Sequence, residues 1–304
     1  MQSQIKQTPL QKALHFFVTK MIIGIGVIIL LVAAIEWLRS SILDKTNLPD
    51  DIKALMVSVA EAFIATTGYI FLFRMYDKRP IYELSASTFF NNATVGFLTG
   101  ISLQSLFILI IYLTGTFLIV NINPVSALIS PFAFALTAGF VAEIIIIGIV
   151  FRLLEQQTGT IMALFIFIIL FAILHINVKG ATLISVGATA MQAGLLLPAA
   201  YVYRRNLWLP IFLHFGWDFA EPGIFGGINP SDSMTHGLLT SKIAGNSLFT
   251  GGETGPQDSL LSLLLCLILG LIFLSLAKQK NNLVKPQWKT KATNKNIATS
   301  GANE

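Results

Sequence analysis

The chain has 304 residues, of which 54% are hydrophobic and only 12% are charged. Soluble domains carry about 25% charged residues, so this composition excludes an ordinary soluble enzyme and predicts that much of the surface faces lipid. The net charge of +5 would suit a nucleic-acid-binding protein if it were clustered. The basic residues instead lie in short loops and in the C-terminal tail, so we predict no nucleic-acid partner.

The N-terminal 20 residues carry Lys6, Lys12 and Lys20 and precede an apolar run at 21–34. A basic start followed by an apolar run is also typical of a secretory signal peptide. The run is long for a signal peptide, however, and the charged residues that follow it are a poor context for cleavage. We therefore interpret 1–20 as a cytoplasmic segment and the run as the beginning of a retained first span.

Eight segments are candidates for transmembrane helices, which need about 20 mostly apolar residues. They lie at approximately 21–38, 54–73, 93–120, 131–153, 160–177, 181–203, 207–222 and 258–277. The third is long for a single span, and 222–258 is predicted to be a long loop because it is rich in Gly, Ser, Thr and Pro. The sequence thus predicts an all-α, polytopic transmembrane helix bundle of about eight spans over 21–277. A disordered, basic tail is expected at 278–304.

Lysine and arginine are distributed unequally between the two sets of connecting segments. With the N-terminus in the cytoplasm, fifteen of the 20 Lys and Arg residues lie on the cytoplasmic side. The opposite side holds Arg39, Lys45, Lys53, Lys179 and Lys242. Because cytoplasmic loops of membrane proteins carry an excess of Lys and Arg, we predict a multi-pass protein of the cell membrane with both termini in the cytoplasm.

Six ionisable residues fall within or at the ends of the predicted spans, where such groups are costly and are functional candidates. They are Glu61, Glu143, His175, His214, Asp218 and Glu221. Glu143 has no polar neighbour within a helical turn and is expected near the middle of the membrane. His214 and Asp218 are four residues apart and therefore share one helix face.

Short connections at 155–159, 176–181 and 204–207 make the fourth to seventh helices neighbours in a bundle. The polar residues of these helices can then meet in one buried site. Such a site is suited to the activation of water by a carboxylate and an imidazole, to metal binding, or to a proton relay.

Three short motifs on successive helices give the chain a resemblance to a known family. The motifs are Glu-Glu-x-x-x-Arg, Phe-x-x-x-His and His-x-x-x-Asn/Asp, and they correspond to 142–147, 171–175 and 214–218. Their order and spacing resemble the CAAX-protease and bacteriocin-processing family of intramembrane endopeptidases over about 130–227. The resemblance implies an enzyme that cleaves membrane-anchored peptides or proteins.

The resemblance also implies roles for individual residues. In this family the first Glu and the second-motif His activate the water that attacks the peptide carbonyl, and the third-motif His and its partner stabilise the oxyanion. His175 is then expected to help activate water, and His214 and Asp218 to hold the oxyanion, with Glu143 as the remaining first-motif carboxylate. An ionised Asp cannot donate a hydrogen bond, so Asp218 would be protonated or would orient His214.

The first motif departs from the family pattern at two positions. Its first Glu is Ala142 and its Arg is Ile147. Neighbouring positions on a helix differ in direction by about 100°, so Glu143 can take over from position 142 only if the helix rotates. Glu61, on another helix, is a second source for the missing carboxylate.

Two further functions stay open at this point. A family member that has lost catalysis could bind a membrane protein or peptide and regulate it. The Glu and His residues could instead serve a proton-coupled transporter, although the sequence lacks the two matching halves typical of many transporters. A divalent metal such as zinc could be held by Glu143, His175 and His214, although their spacing does not match a zinc signature.

Overall fold

The computed structural model describes residues 16–226 and 237–286, and most of this part of the chain is helical. The predicted N-terminal segment therefore lies outside the described residues except for 16–20, as does the predicted tail beyond 286. In chain order the elements are α1 (Phe17–Ser41), α2 (Asp50–Asp77), α3 (Phe89–Leu113), β1 (Phe117–Ile122), α4 (Val125–Thr158), α5 (Thr160–His175), α6 (Leu183–Arg204), α7 (Trp208–Phe219, continued by Ala220–Ile224), β2 (Leu239–Ile243), α8 (Ser247–Thr250) and α9 (Leu260–Gln279).

The predicted all-α, multi-pass bundle is confirmed, and each of the eight predicted spans corresponds to a helix. Among the described residues, α1, α2, α3, α4, α6 and α9 are long and apolar enough to cross a membrane. The other two are shorter: α5 has 16 residues, and α7 joins a 12-residue α-helix to a five-residue π-helix. These two short helices carry three of the four predicted site residues.

The predicted third span differs from the structure at its end. The helix stops at Leu113, and the chain turns through Gly115, whose φ of 77° favours glycine. Residues 117–122 then form β1, which pairs with β2 in an antiparallel, two-stranded sheet. The predicted 93–120 helix is therefore wrong over its last residues. The predicted loop at 222–258 contains β2 and α8 and is not wholly irregular.

Helix α7 lies in close contact with α3 and α4, and small residues make this approach possible. A Cβ atom added at Gly100 of α3 would overlap the carbonyl oxygen of Leu213. A Cβ added at Gly139 of α4 would lie 2.9 Å from the carbonyl oxygen of Ile211. Any side chain at these positions would push α7 away, so the two glycines fix the helix that carries His214.

A cluster of ion pairs joins α1, α2 and α4 at the end of the bundle that also holds the start of α1. We call it the basal ion cluster, and its members are Lys20, Tyr69, Asp77, Arg79, Glu83 and Arg152. Arg152 is 3% exposed, donates to Asp77 Oδ2 at 3.2 Å and stacks over Phe73 with 4.5 Å to the ring centroid. Buried carboxylates and guanidinium groups thus compensate one another here.

The described residues continue past α9 to Pro286, and this segment packs against the bundle. Arg205 donates to both carboxylate oxygens of Glu155, at 2.6 and 2.9 Å, and to the carbonyl oxygen of Asn282. The backbone N–H of Val284 donates to the Thr160 hydroxyl at 2.8 Å. This segment therefore covers the junction between α4 and α5.

Candidate active site

A cavity of about 270 Å³ lies between α4, α5, α6, α7 and the residues just before α9. Its lining combines polar and apolar side chains, which are Glu143, Ile146, Phe171, His175, Thr189, Gln192, Ala193, Leu197, His214, Asp218, Gln257 and Asp258. All four predicted site residues are in this set. The cavity lies at the His175 end of α5, whereas the Thr160 end contacts the segment after α9. The site is therefore at the opposite end of the bundle from that segment.

Glu143, His214 and Asp218 form a continuous chain of side-chain contacts. His214 Nδ1 lies 2.8 Å from Glu143 Oε1, and His214 Nε2 lies 3.2 Å from Asp218 Oδ2. Both ring nitrogens therefore face carboxylate oxygens. A doubly protonated imidazole has a donor on each nitrogen and satisfies both contacts at once, so this geometry favours the imidazolium form.

Glu143 is 1% exposed and uses only one of its two carboxylate oxygens. Oε1 contacts His214, whereas Oε2 is buried and has no hydrogen-bond partner among the described residues. An unpaired buried oxygen is costly for stability. It is also a free acceptor on a residue that lines a cavity large enough for water.

The winding of α4 explains how Glu143 reaches the cavity. The helix is π-helical at Ala138–Ala142 and again at Ile144–Phe151, on either side of Glu143. A π-helix forms i→i+5 hydrogen bonds and occurs frequently at functional sites. Because each wide turn holds more residues, side-chain directions no longer follow 100° steps. Glu143 is among the residues that line the cavity, and Ala142 is not.

Ile147, in place of the motif arginine, is fully buried in the hydrophobic core. It contributes apolar packing and faces no carboxylate in the cavity. Glu61, the other candidate for the missing carboxylate, does not line the cavity. Its Oε2 accepts a hydrogen bond from Thr137 at 2.7 Å. Glu221 likewise lies elsewhere, where Gln104 donates to it at 3.1 Å.

His175 is the last residue of α5, and it meets a carboxylate that sequence reasoning missed. His175 Nε2 lies 3.4 Å from Asp258 Oδ2. Asp258 belongs to a short 3-10 turn, Pro256–Asp258, directly before Ser259, whose hydroxyl caps α9 by accepting from the N–H of Ser262. The sequence places Asp258 next to a helix-capping serine, but nothing in it indicates proximity to His175.

Metal binding by these residues is not supported. Across residues 16–226 and 237–286, no group of three or more His, Cys, Asp or Glu side chains is placed to hold a metal ion. His214 is engaged by carboxylates on both nitrogens, and His175 faces Asp258. The ligand set of Glu143, His175 and His214 that the sequence left open therefore does not fit.

Comparison with known proteins gives one match. Residues 124–220 match the model of a protein family described as Type II CAAX prenyl endopeptidase Rce1-like. No curated protein and no solved structure matches the chain. The match confirms the family that the three motifs indicated, and it supports a membrane protease of the CAAX type. It includes the four predicted site residues and ends before Asp258.

Proposed function

We propose that this chain, which over residues 124–220 belongs to the type II CAAX prenyl endopeptidase family, hydrolyses peptide bonds in membrane-anchored peptides or proteins. The observation that carries the proposal is the meeting of Glu143, His175, His214 and Asp218 in one buried cavity. The four residues come from three helices, α4, α5 and α7, and ionisable residues within membrane-spanning segments mark functional sites. Peptide hydrolysis needs a base for water and a positive group for the oxyanion, and this cavity contains both.

Two groups in the cavity can take the proton of an attacking water. They are the Oε2 oxygen of Glu143, which has no hydrogen-bond partner among the described residues, and the imidazole of His175, which lines the same cavity. In the proposed reaction, the water loses a proton to one of these groups and its oxygen adds to the peptide carbonyl carbon. The proton then passes to the departing amine nitrogen as the C–N bond breaks.

The His214 imidazolium supplies the positive charge. It lies between Glu143 and Asp218, and the two carboxylates stabilise it in the cavity. The negative charge that develops on the carbonyl oxygen is stabilised by a fixed positive group in a water-poor site. An ionised Asp218 cannot donate to that oxygen, so its proposed role is to hold His214 in position.

The proposed location is the cell membrane, with both termini in the cytoplasm. The excess of Lys and Arg on that side supports this orientation. The cavity lies at the end of α5 away from the segment that follows α9. In this orientation the site is nearer the outer face of the bilayer than the cytoplasmic face.

One observation favours a second candidate function, a catalytically inactive family member that binds a membrane protein or peptide. Ile147 replaces the motif arginine and is fully buried in the core, and Ala142 does not line the cavity. The site has thus lost two charged groups of the family pattern. A protein of this kind would keep the cavity as a binding site without cleaving its ligand.

The test is cleavage by the purified, full-length protein in lipid nanodiscs. Two probes separate substrate classes: a prenylated peptide ending in a CAAX sequence, and a peptide anchored by a transmembrane helix. We expect wild type to cleave at least one probe, and His175→Ala to lower kcat by roughly 10²–10⁴-fold. Lys179→Ala is the matched control, because Lys179 is exposed at the same end of the bundle.

Each outcome of this test is decisive. Cleavage that survives His175→Ala unchanged would contradict the assignment of the site. No cleavage of either probe by wild type, together with saturable binding of one of them, would replace the hydrolase with the binding protein. The Lys179→Ala variant should cleave like wild type if the protein is a hydrolase. It should bind the probe with wild-type affinity if the protein only binds it.

A further inference from the structure

Asp258 is a buried carboxylate in the cavity that no family motif includes. Its side chain is 8% exposed and its Oδ2 lies 3.4 Å from His175 Nε2. The Thr189 hydroxyl donates to the other oxygen, Oδ1, at 3.2 Å. A contact from α6 on one side and from α5 on the other thus fixes the orientation of the carboxylate.

The partner of Asp258 distinguishes it from the structural carboxylates of this protein. Asp77, Glu83 and Glu155 each form an ion pair with an Arg or Lys side chain. Asp258 forms its ion contact with an imidazole. A carboxylate that faces a histidine ring nitrogen fixes the tautomer and orientation of the ring, whereas a carboxylate paired with arginine mainly locks structure.

The environment of Asp258 also differs from that of a surface acid. Burial raises the pKa of the Asp258 carboxyl, and the contacts from His175, Thr254 and Thr189 only partly offset this effect. The groups that share the cavity are Glu143, His214 and Asp218, and His214 contacts both of these carboxylates. His175 and Asp258 therefore form a second, separate pair in the same cavity.

We propose that Asp258 supplies the carboxylate that this chain lacks at Ala142, acting as a positioning residue for His175. The inference rests on the proposed function. With Nε2–H directed at Asp258, the neutral imidazole carries its lone pair on Nδ1. Nδ1 takes the proton from water, and the carboxylate stabilises the imidazolium that forms. The proton leaves with the amine nitrogen when the C–N bond breaks, so His175 and Asp258 return to their starting states.

This arrangement assigns separate tasks to the two pairs. Glu143 is already engaged with the His214 imidazolium, so it serves the oxyanion side. His175 then serves the water side, with Asp258 behind it. The family-like region of residues 124–220 is thus completed by a residue from the turn just before α9.

The decisive experiment compares Asp258→Asn, Asp258→Glu and Asp50→Asn in the full-length protein, with the cleavage assay above. Asp50 has a side chain that is 98% exposed, so its variant controls for the loss of one negative charge. We expect Asp258→Asn to lower kcat by about 10²-fold or more while KM stays within about twofold. Asp258→Glu should recover at least part of kcat, and Asp50→Asn should match wild type.

A purely structural role would lower the amount of folded protein and leave kcat per folded molecule unchanged. The thermal unfolding midpoint of each variant in detergent measures this. If Asp258→Asn does not fold, Thr189→Val replaces it, because that change removes the hydrogen bond to Oδ1 and keeps the charge. A several-fold fall in kcat at constant KM is then expected, and an unchanged kcat would overturn the inference.

The results separate this inference from the proposed function. If wild type cleaves, His175→Ala is inactive and Asp258→Asn keeps full kcat, then Asp258 has no role in positioning and the hydrolase assignment stands. If wild type cleaves neither probe, the proposed function and this inference are both overturned. A fall in kcat for Asp258→Asn with rescue by Asp258→Glu supports both.

Discussion

The basal ion cluster and the cavity both contain buried carboxylates, but the two regions pair them differently. In the basal ion cluster, Asp77 and Glu83 face Arg152, Arg79 and Lys20. Among the described residues that line the cavity, the carboxylates face imidazoles. One region compensates acids with guanidinium and ammonium groups, and the other with imidazoles, whose ring nitrogens can both donate and accept.

The difference shows how one helix can carry both structure and chemistry. Arg152 and Glu143 lie on the same helix, α4, nine residues apart. Arg152 packs into the basal ion cluster, where its Nε donates to the carbonyl oxygen of Gly148 at 2.8 Å. Glu143 keeps one oxygen without a partner among the described residues. Arg152 Nη2 is likewise without a partner among the described residues, so the contrast lies in the ion pairs that hold Arg152 and in the position of Glu143 at the cavity.

The largest expected effect is a loss of activity in the Glu143→Gln variant. The amide keeps the size of the side chain but removes the charge that holds the His214 imidazolium. We expect a fall in kcat of roughly 10²–10⁴-fold. The thermal unfolding midpoint should change little, because the glutamine amide oxygen can still accept a hydrogen bond from His214 and Asp218 still faces the other ring nitrogen. Kinetics and thermal unfolding on the same preparation measure both.

Glu36→Gln is the control for this variant, since its side chain is 47% exposed in a surface ion pair. It should change neither activity nor stability appreciably. If Glu143→Gln is strongly destabilised but keeps a normal kcat per folded molecule, then Glu143 behaves like a member of the basal ion cluster. This result would contradict the distinction between the cavity and the basal ion cluster.

The next largest expected effect is a loss of stability in the Arg152→Met variant. Removing the guanidinium leaves Asp77 and Glu83 with less positive charge in a buried site. Breaking a buried ion pair in this way costs about 3–5 kcal/mol. Unfolding by SDS titration in mixed micelles should show this loss, while kcat of the remaining folded protein stays near wild type.

Arg39→Met is the matched control for Arg152→Met. Arg39 is 40% exposed and pairs with Glu36 at 3.4 Å, so its loss should cost less than about 1 kcal/mol. Equal effects of the two substitutions would show that burial does not distinguish these ion pairs.

The smallest expected effect is the pH dependence of the stability that Glu83 contributes. Glu83 lies between α2 and α3. Burial alone would raise the pKa of Glu83, but hydrogen bonds from Arg79 and the charge of Arg152 hold it below the ordinary value of 4.5. The stabilising contribution of Glu83 is therefore fully present above pH 4.5 and is lost as pH falls through the folded-state pKa. At pH 7 the free energy of unfolding of wild type should exceed that of Glu83→Gln by roughly 1.5–3 kcal/mol.

The free energy of unfolding of both proteins, measured at several pH values from 7 down to 3, tests this. The difference between them should shrink as the pH is lowered below 4.5. A difference that stays constant over the whole range would mean that the Glu83 carboxyl has the same pKa in the folded and unfolded states.

The sequence was informative where the signal is periodic or local. Long apolar runs predicted the bundle, and the spacing of His214 and Asp218 correctly placed both on one helix face. Short connections predicted that α4 to α7 are neighbours, and the four site residues indeed line one cavity. The catalytic roles of these residues stay predictions.

The remaining features depend on geometry that spacing does not encode. The helix α4 is π-helical on both sides of Glu143, and no spacing of residues in the sequence indicates this wider winding. Asp258 meets His175 through a contact between residues 83 positions apart in the chain. The end of α3 was missed because the apolar residues of β1 extend the hydrophobic run beyond the helix.

The segment after α9 has a practical consequence for protein production. Asn282 accepts from Arg205 and donates through its side chain to the carbonyl oxygen of Tyr203 at 2.9 Å, and Val284 contacts Thr160. A chain truncated at Gln279, or fused there to an affinity tag, would lose all of these contacts and expose the α4–α5 junction. Expression vectors should therefore place any C-terminal tag beyond Pro286.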